Sequence, residues 1–146
     1  MTLTPAPQIA PVTSLLREPT ADAAAFRDGC DRGELVLPEC TGCDRLIYFP
    51  RLICPHCGCQ ALVQRTVDGA GSIHSIAQVG FSPFGKHWAA DVPYSVVRVD
   101  LDCGPRMLSR LVGPGREGAG IGARVAIRFA PVHGSPHRIP VFELAP

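Results

Sequence analysis

Residues 40–59 read CTGCDRLIYFPRLICPHCGC, and this stretch decides how the rest of the chain is understood. It holds two Cys-x-x-Cys knuckles, Cys40/Cys43 and Cys54/Cys57, separated by ten residues, with Gly42, Pro55 and Gly58 supplying tight turns. Two knuckles so spaced aim four thiolates at one tetrahedral ion, at metal–sulfur distances of about 2.3 Å. A divalent ion so held keeps a surplus of negative charge, which Arg45 and Arg51 on the intervening hairpin are placed to offset. With four protein ligands no position is left for a reactive water, so the metal is expected to be structural. Zinc is the expected ion, and spacing alone leaves an iron held by four thiolates open. His56, inside the second knuckle, is expected to project outward. Cys59 is a spare thiolate, but a CxxCxC run uses its first pair as ligands.

Working outward, a chain of 146 residues with seven Cys, 15 Gly and 15 Pro accommodates one ordinary domain and a small appendage. That size excludes a large multidomain enzyme. An odd number of Cys without an export signal argues for reduced thiolates on a metal in the cytoplasm rather than a disulfide scaffold. No apolar run of about 18 residues is present, which argues against a membrane span. The formal net charge is +1, too close to neutrality for a chain whose main partner is a phosphate polymer. The first 60 residues lean acidic and the remainder leans basic.

The organisation follows from punctuation and periodicity. Residues 1–19 carry four Pro and read as a flexible tail. Residues 20–34 read as one short helical segment, with Thr20 as N-cap and Gly29 or Gly33 as stop. Residues 35–60 form the ribbon, and residues 61–146 read as strands broken by Gly and Pro. In the strand SVVRVDL, Val97, Val99 and Leu101 alternate with Arg98 and Asp100. In RVAIRF, Val125, Ile127 and Phe129 alternate with Arg124, Ala126 and Arg128. RMLSRLV and IPVFEL add two more strands. LVQRTVDGAGSIHSIAQV is read as one long first strand, bent at Gly69 and Gly71. Five strands, one of them long and glycine-kinked, fit a small closed OB-type barrel better than a sandwich. GPGREGAGIG, between the third and fourth strands, is expected to be a loop.

Catalytic signatures are sparse. Cys30 and Cys103 sit in no activating motif and each reads as a buried or turn thiol rather than a nucleophile. His74 falls on a strand and reads as structural, while His133 and His137 belong to a hairpin loop. No nucleophile elbow, phosphate-binding glycine loop or dinucleotide fingerprint is present. VGFSPFGKHWAADVPY, residues 79–94, concentrates Phe81, Phe84, Trp88 and Tyr94 between two strands. It reads either as a binding anchor or as a cap on one end of the barrel. Lys86, His87 and Trp88 are its candidate contacts to a phosphate-bearing ligand or a partner.

Three segments together resemble a known family. Phe26 to Gly58 follows the order F-x₆-G-E-L-x-L-P-x-C-x-x-C through Y-F-P-R to C-P-x-C-G; Val67 to Ile73 reads V-x-G-x-G-x-I; Pro93 to Leu101 reads P-Y-x-V-x-x-V-x-L. This combination, over roughly residues 20–144, resembles the rubredoxin-like zinc-ribbon/OB-fold family known as domain of unknown function 35. The resemblance implies a mainly β fold: a short N-terminal helix, a rubredoxin-like zinc ribbon and a C-terminal five-stranded OB-fold barrel. It also implies that Cys40, Cys43, Cys54 and Cys57 are the family's zinc ligands. The resemblance further implies a place beside a thiolase-like condensing, acyl-transfer or retro-aldol enzyme, in a hetero-oligomer whose partner supplies the catalytic groups while a chain of this kind helps to form or cover the acyl-CoA site. The alternative is a single-stranded nucleic-acid binder, since OB barrels and zinc ribbons both serve that role; one Lys and few aromatics weigh against it.

Overall fold

The helix in the first described segment starts later than Thr20 suggests. The computed structural model describes residues 19–81, 92–132 and 134–146, so Phe84, Lys86, His87, Trp88, His133 and nearly all of the tail lie outside the described residues. Helix α1 runs Ala24–Arg32, with Ala23 at its N-cap and no side-chain cap. The Thr20 carbonyl instead accepts the Ala23 N–H at 2.9 Å, closing a turn before the helix begins. Gly33 ends α1 at a left-handed φ of 80°, the conformation in which glycine carries no Cβ penalty. Gly29 does not stop the helix but lets it come close to the next strand: a Cβ there would lie 2.7 Å from Val36 Cγ2.

Among the described residues seven strands follow: β1 (Leu35–Cys40), β2 (Leu62–Val67), β3 (Ala70–Val79), β4 (Tyr94–Leu101), β5 (Arg106–Val112), β6 (Arg124–Pro131) and β7 (Arg138–Leu144). β1 and β2 make a two-stranded antiparallel sheet, and β3-β4-β5-β7-β6 close a barrel, with β5 and β7 parallel. The fold is therefore mainly β, with one short helix, a zinc-ribbon region and a five-stranded closed barrel. The expected single long strand is in fact two, in different sheets. The chain leaves the ribbon at Val67 and enters the barrel at Ala70, and Gly69 at the crossing abuts Ile127 of β6. A β-bulge between Ile73 and Ser75 places His74 out of register and bends β3 around the barrel. The predicted loop at residues 113–122 contains one 3₁₀ turn, Arg116–Gly118.

The alternation read from the sequence is the one that packs. Val97, Val99, Leu101 and Val125 are buried with Ile73, Met107, Leu111 and Phe142 in the barrel core. Leu35 and Leu37 of β1 belong to the same cluster, so the ribbon's first strand is also a wall of the barrel core. A smaller core of Cys40, Ile47 and Cys54 holds the ribbon together.

One polar clamp ties α1 to the β6–β7 hairpin. Asp31 Oδ1 accepts the Arg138 N–H at 2.8 Å, and its Oδ2 lies 2.8 Å from His137 Nδ1. Burial alone would raise the Asp31 carboxyl, but the Arg138 amide and His137 outweigh it and hold it below its ordinary value. A carboxyl depressed by folding contributes stability above its unfolded value and loses it as pH falls through the lower folded one. The expected result is that Asp31→Ala costs about 1.5 kcal/mol at pH 7. That difference from the wild type should shrink in urea melts as the pH is taken below about 4. A gap that persists unchanged into that acid range would show that the contact does not depend on the carboxylate.

Candidate metal centre

The two knuckles are built as a structural repeat, offset by fourteen positions in the sequence. In the first, the Asp44 N–H donates to Cys40 O at 2.8 Å and the Cys40 N–H to Arg45 O at 2.9 Å. In the second, Gly58 donates to Cys54 O at 3.0 Å and Cys54 to Cys59 O at 2.9 Å. The leading sulfur of each accepts an N–H from two residues on, Gly42 to Cys40 Sγ and His56 to Cys54 Sγ, both at 3.4 Å. The residue after each trailing cysteine is left-handed: Gly58 at φ 75° and Asp44 at φ 55°. Asp44 thus stands where a glycine is the unstrained choice, a role that the sequence reading missed. Asp is one of the few side chains that enter this region, which is the only signal that could have revealed it.

This local geometry brings the Sγ atoms of Cys40, Cys43, Cys54 and Cys57 within 4.8 Å of one another. Cys40 and Cys57 sulfurs are 3.5 Å apart, and those of Cys43 and Cys54 are 3.7 Å apart. A tetrahedron with metal–sulfur bonds of about 2.3 Å has edges of about 3.8 Å, so the donor set fits a single tetrahedral ion. The thiols do not ionise independently. Burial would raise Cys40, but the Gly42 amide and the Cys57 thiol hold it down to about 7. Cys57, despite the Cys59 amide that favours its thiolate, is pushed up to about 12, chiefly by its contact with the Cys40 sulfur. A divalent cation held by Cys40, Cys43, Cys54 and Cys57 would remove this competition by stabilising all four as thiolates. No open coordination position is left for Lewis-acid chemistry.

The remaining candidates separate clearly. Cys59 Sγ stands outside the four-sulfur group and accepts the Ala61 N–H at 3.4 Å. His56 is not part of the four-sulfur group, and its Nδ1 lies 3.2 Å from Arg45 Nη1. Cys30 is buried in α1, and burial with the neighbouring Asp31 pushes its thiol up to about 12. His74 Nδ1 lies 3.1 Å from Asp100 Oδ2 on the barrel surface. A cleft of about 680 Å³ opens between the ribbon hairpin and the β4–β5 turn, lined on one side by Arg45, Phe49, Arg51 and His56 and on the other by Arg98 and Arg106. Sequence periodicity marked Arg98 only as an outward-facing strand residue, with nothing to link it to a hairpin some fifty positions earlier.

A convergent four-cysteine ribbon whose first strand completes the core of an OB barrel defines a zinc-ribbon/OB-fold protein. The family model described as the rubredoxin-like zinc ribbon domain of ChsH2 matches residues 27–63, and that described as the C-terminal OB-fold domain of ChsH2 matches residues 64–130. The chain belongs to this ChsH2-type family of domain-of-unknown-function-35 proteins. Among solved structures, it is similar to a chain of the Ltp2-ChsH2(DUF35) aldolase, at 26% identity and a TM-score of 0.76 over 90% of this chain and all of that one. A protein of unknown function from the same family in Sulfolobus solfataricus shares the fold at 17% identity, with a TM-score of 0.57 over 86% of each chain. A curated relative, a probable enoyl-CoA hydratase alpha subunit of Thermomonospora curvata, is 30% identical over 73% of this chain; the match spans 32% of that relative's length. Among the described residues, no helix is long and apolar enough to cross a membrane.

Proposed function

We propose that this chain is a non-catalytic accessory subunit that docks on a thiolase-like enzyme and helps to form or cover its acyl-CoA site. Cys40, Cys43, Cys54 and Cys57 hold a structural zinc that fixes the docking surface. The observation that carries this reading is the loop between the knuckles. Leu52 is 66% exposed and Ile53 50% exposed, two adjacent large apolar side chains on the loop that joins the two pairs of cysteines. Side chains of that kind, held in place before binding, are the usual centre of a protein interface. Support comes also from the two named relatives, one part of an Ltp2-ChsH2 aldolase and one a probable enoyl-CoA hydratase subunit. In this reading Lys86, His87 and Trp88 remain contacts to the acyl-CoA or the partner.

The test is copurification and titration of the zinc-loaded chain against a thiolase-like protein encoded beside it. A stable hetero-oligomer is expected, and Leu52→Asp with Ile53→Asp should weaken it by at least about tenfold, since a buried charge replaces an apolar anchor. Both positions are exposed, so the free chain should melt as the wild type does. Two results would count against the reading: a chain that stays monomeric with every such protein, or one that binds single-stranded DNA with a steep salt dependence.

A further inference from the structure

The cleft between ribbon and barrel carries more positive charge than the metal centre accounts for. Four guanidinium groups line it, Arg45, Arg51, Arg98 and Arg106, against one carboxylate, Asp44. Arg106 Nε is tied to Asp100 Oδ1 at 2.6 Å, and Arg45 faces His56. Arg51 and Arg98, by contrast, have no hydrogen bond or ion pair among the described residues. The surplus negative charge of a tetrathiolate metal site accounts for Arg45 and Arg51 on the ribbon. It does not account for Arg98, which comes from the barrel strand β4. Guanidinium groups brought to one cleft by two separate elements match the oxygens of a phosphate better than any single surface pair would.

A second feature of the same cleft narrows the ligand. The Phe49 ring is stacked on Tyr48 at a centroid distance of 4.4 Å and an interplanar angle of 27°, yet Phe49 is 57% exposed at the cleft wall. A large apolar ring held rigid from behind and open in front is a stacking platform for a flat aromatic group. A volume of about 680 Å³ is within the range of small-ligand sites. Phosphate-binding guanidiniums beside an open aromatic face are the two halves of nucleotide recognition.

We propose that this cleft binds a nucleoside diphosphate group, its phosphates on Arg51 and Arg98 with Arg45 and Arg106 beside them, and its base against Phe49. The group has two sources, a free nucleotide or the adenosine diphosphate end of a CoA ester, the second of which rests on the acyl-CoA role proposed above. The assignment is independent of partner docking, because Leu52 and Ile53 do not line the cleft.

The experiment is calorimetric titration of the zinc-loaded full chain with ADP, adenosine 3′,5′-bisphosphate, CoA and inorganic pyrophosphate. Saturable binding of ADP is expected, weakened on the order of tenfold by Arg98→Ala and by Arg51→Ala. Phe49→Ala should weaken ADP but leave pyrophosphate unchanged, which a merely electrostatic surface would not do. Arg65→Ala, on β2 and outside the cleft, should change nothing. CoA tighter than ADP would identify the CoA ester as the source, and equal affinities would identify the free nucleotide. The proposal is overturned if none of the four probes saturates up to about 5 mM. It is also overturned if Arg65→Ala weakens binding as much as Arg98→Ala does, or if an oligothymidylate displaces ADP with a steep salt dependence, the mark of a polynucleotide groove.

Discussion

Cys40→Ser should deprive the chain of its metal and unfold the ribbon. Cys40 is fully buried, the last residue of β1, and its sulfur lies among the other three thiolates. A serine hydroxyl does not ionise near neutral pH, so the site would lose one of four charged ligands and the ion its tetrahedral cage. In small zinc modules the apparent binding free energy is about 10–16 kcal/mol, as large as the whole stability of an ordinary domain. The ribbon core of Cys40, Ile47 and Cys54 is too small to hold its shape without that contribution. The damage should spread further, because Leu35 and Leu37, on the same strand as Cys40, pack into the barrel core. Metal analysis should therefore find about one zinc per wild-type chain and almost none in the variant, with the cooperative melt lost or greatly lowered. Cys59→Ser, whose sulfur stands outside the group, should keep both the metal and the melt. A Cys40→Ser chain that retained its zinc and melted normally would refute the structural role, and equal loss from Cys59→Ser would bring that sulfur into the ligand set. A metal that proved to be iron would change the element but not the expected collapse.

The parts of this architecture that could be read from the sequence are those fixed by neighbours along the chain. The knuckles are visible because each is closed by hydrogen bonds spanning only a few residues, Asp44 to Cys40 and Gly58 to Cys54. The strands of the barrel are visible because Val97, Val99 and Leu101 alternate with Arg98 and Asp100, and burial follows that alternation. What escaped depends on distant partners. Whether residues 62–79 make one strand or two is decided by Ile127, which meets the chain at Gly69, and by β1, which captures Leu62–Val67. The start of α1 escaped for a smaller reason: Thr20 has the chemistry of a cap, but a turn takes up its carbonyl first. The cationic cleft was out of reach altogether. Arg51 and Arg98 are ordinary surface residues in their own segments and acquire a common purpose only when the ribbon folds against the β4–β5 turn.

Gly69→Ala and Gly71→Ala should each destabilise the barrel, and their combination should bring it close to unfolding. The sequence suggests that these glycines are there to let a strand bend; the structure shows that they are there because no Cβ fits. Neither adopts a positive φ. A Cβ on Gly69 would lie 2.1 Å from Ile127 Cγ2 and 2.4 Å from its Cβ, and one on Gly71 would lie 2.5 Å from the Asp100 carbonyl oxygen and 2.7 Å from Val99 Cγ1. Overpacking of this kind costs about 1–3 kcal/mol per site. The two glycines meet different strands, β6 and β4, so their costs should roughly add, to about 2–6 kcal/mol of the 5–15 available to a domain. Urea melts should show a lower midpoint with an unchanged slope, the sign of a loss of stability without a change in the surface exposed. The two sites should also differ in how they can be rescued. At Gly69 the obstacle is a side chain whose Cβ takes part in the clash, so Ile127→Gly should return part of the loss in a double variant, and Ile127→Ala, which keeps that Cβ, should return less. At Gly71 the nearest obstacle is the main chain of β4, held in register between β3 and β5. Val99→Ala should therefore fail to rescue Gly71→Ala. If it succeeded, or if Gly71→Ala alone cost less than about 0.5 kcal/mol, the close approach of β3 to β4 would not be what keeps glycine at that position.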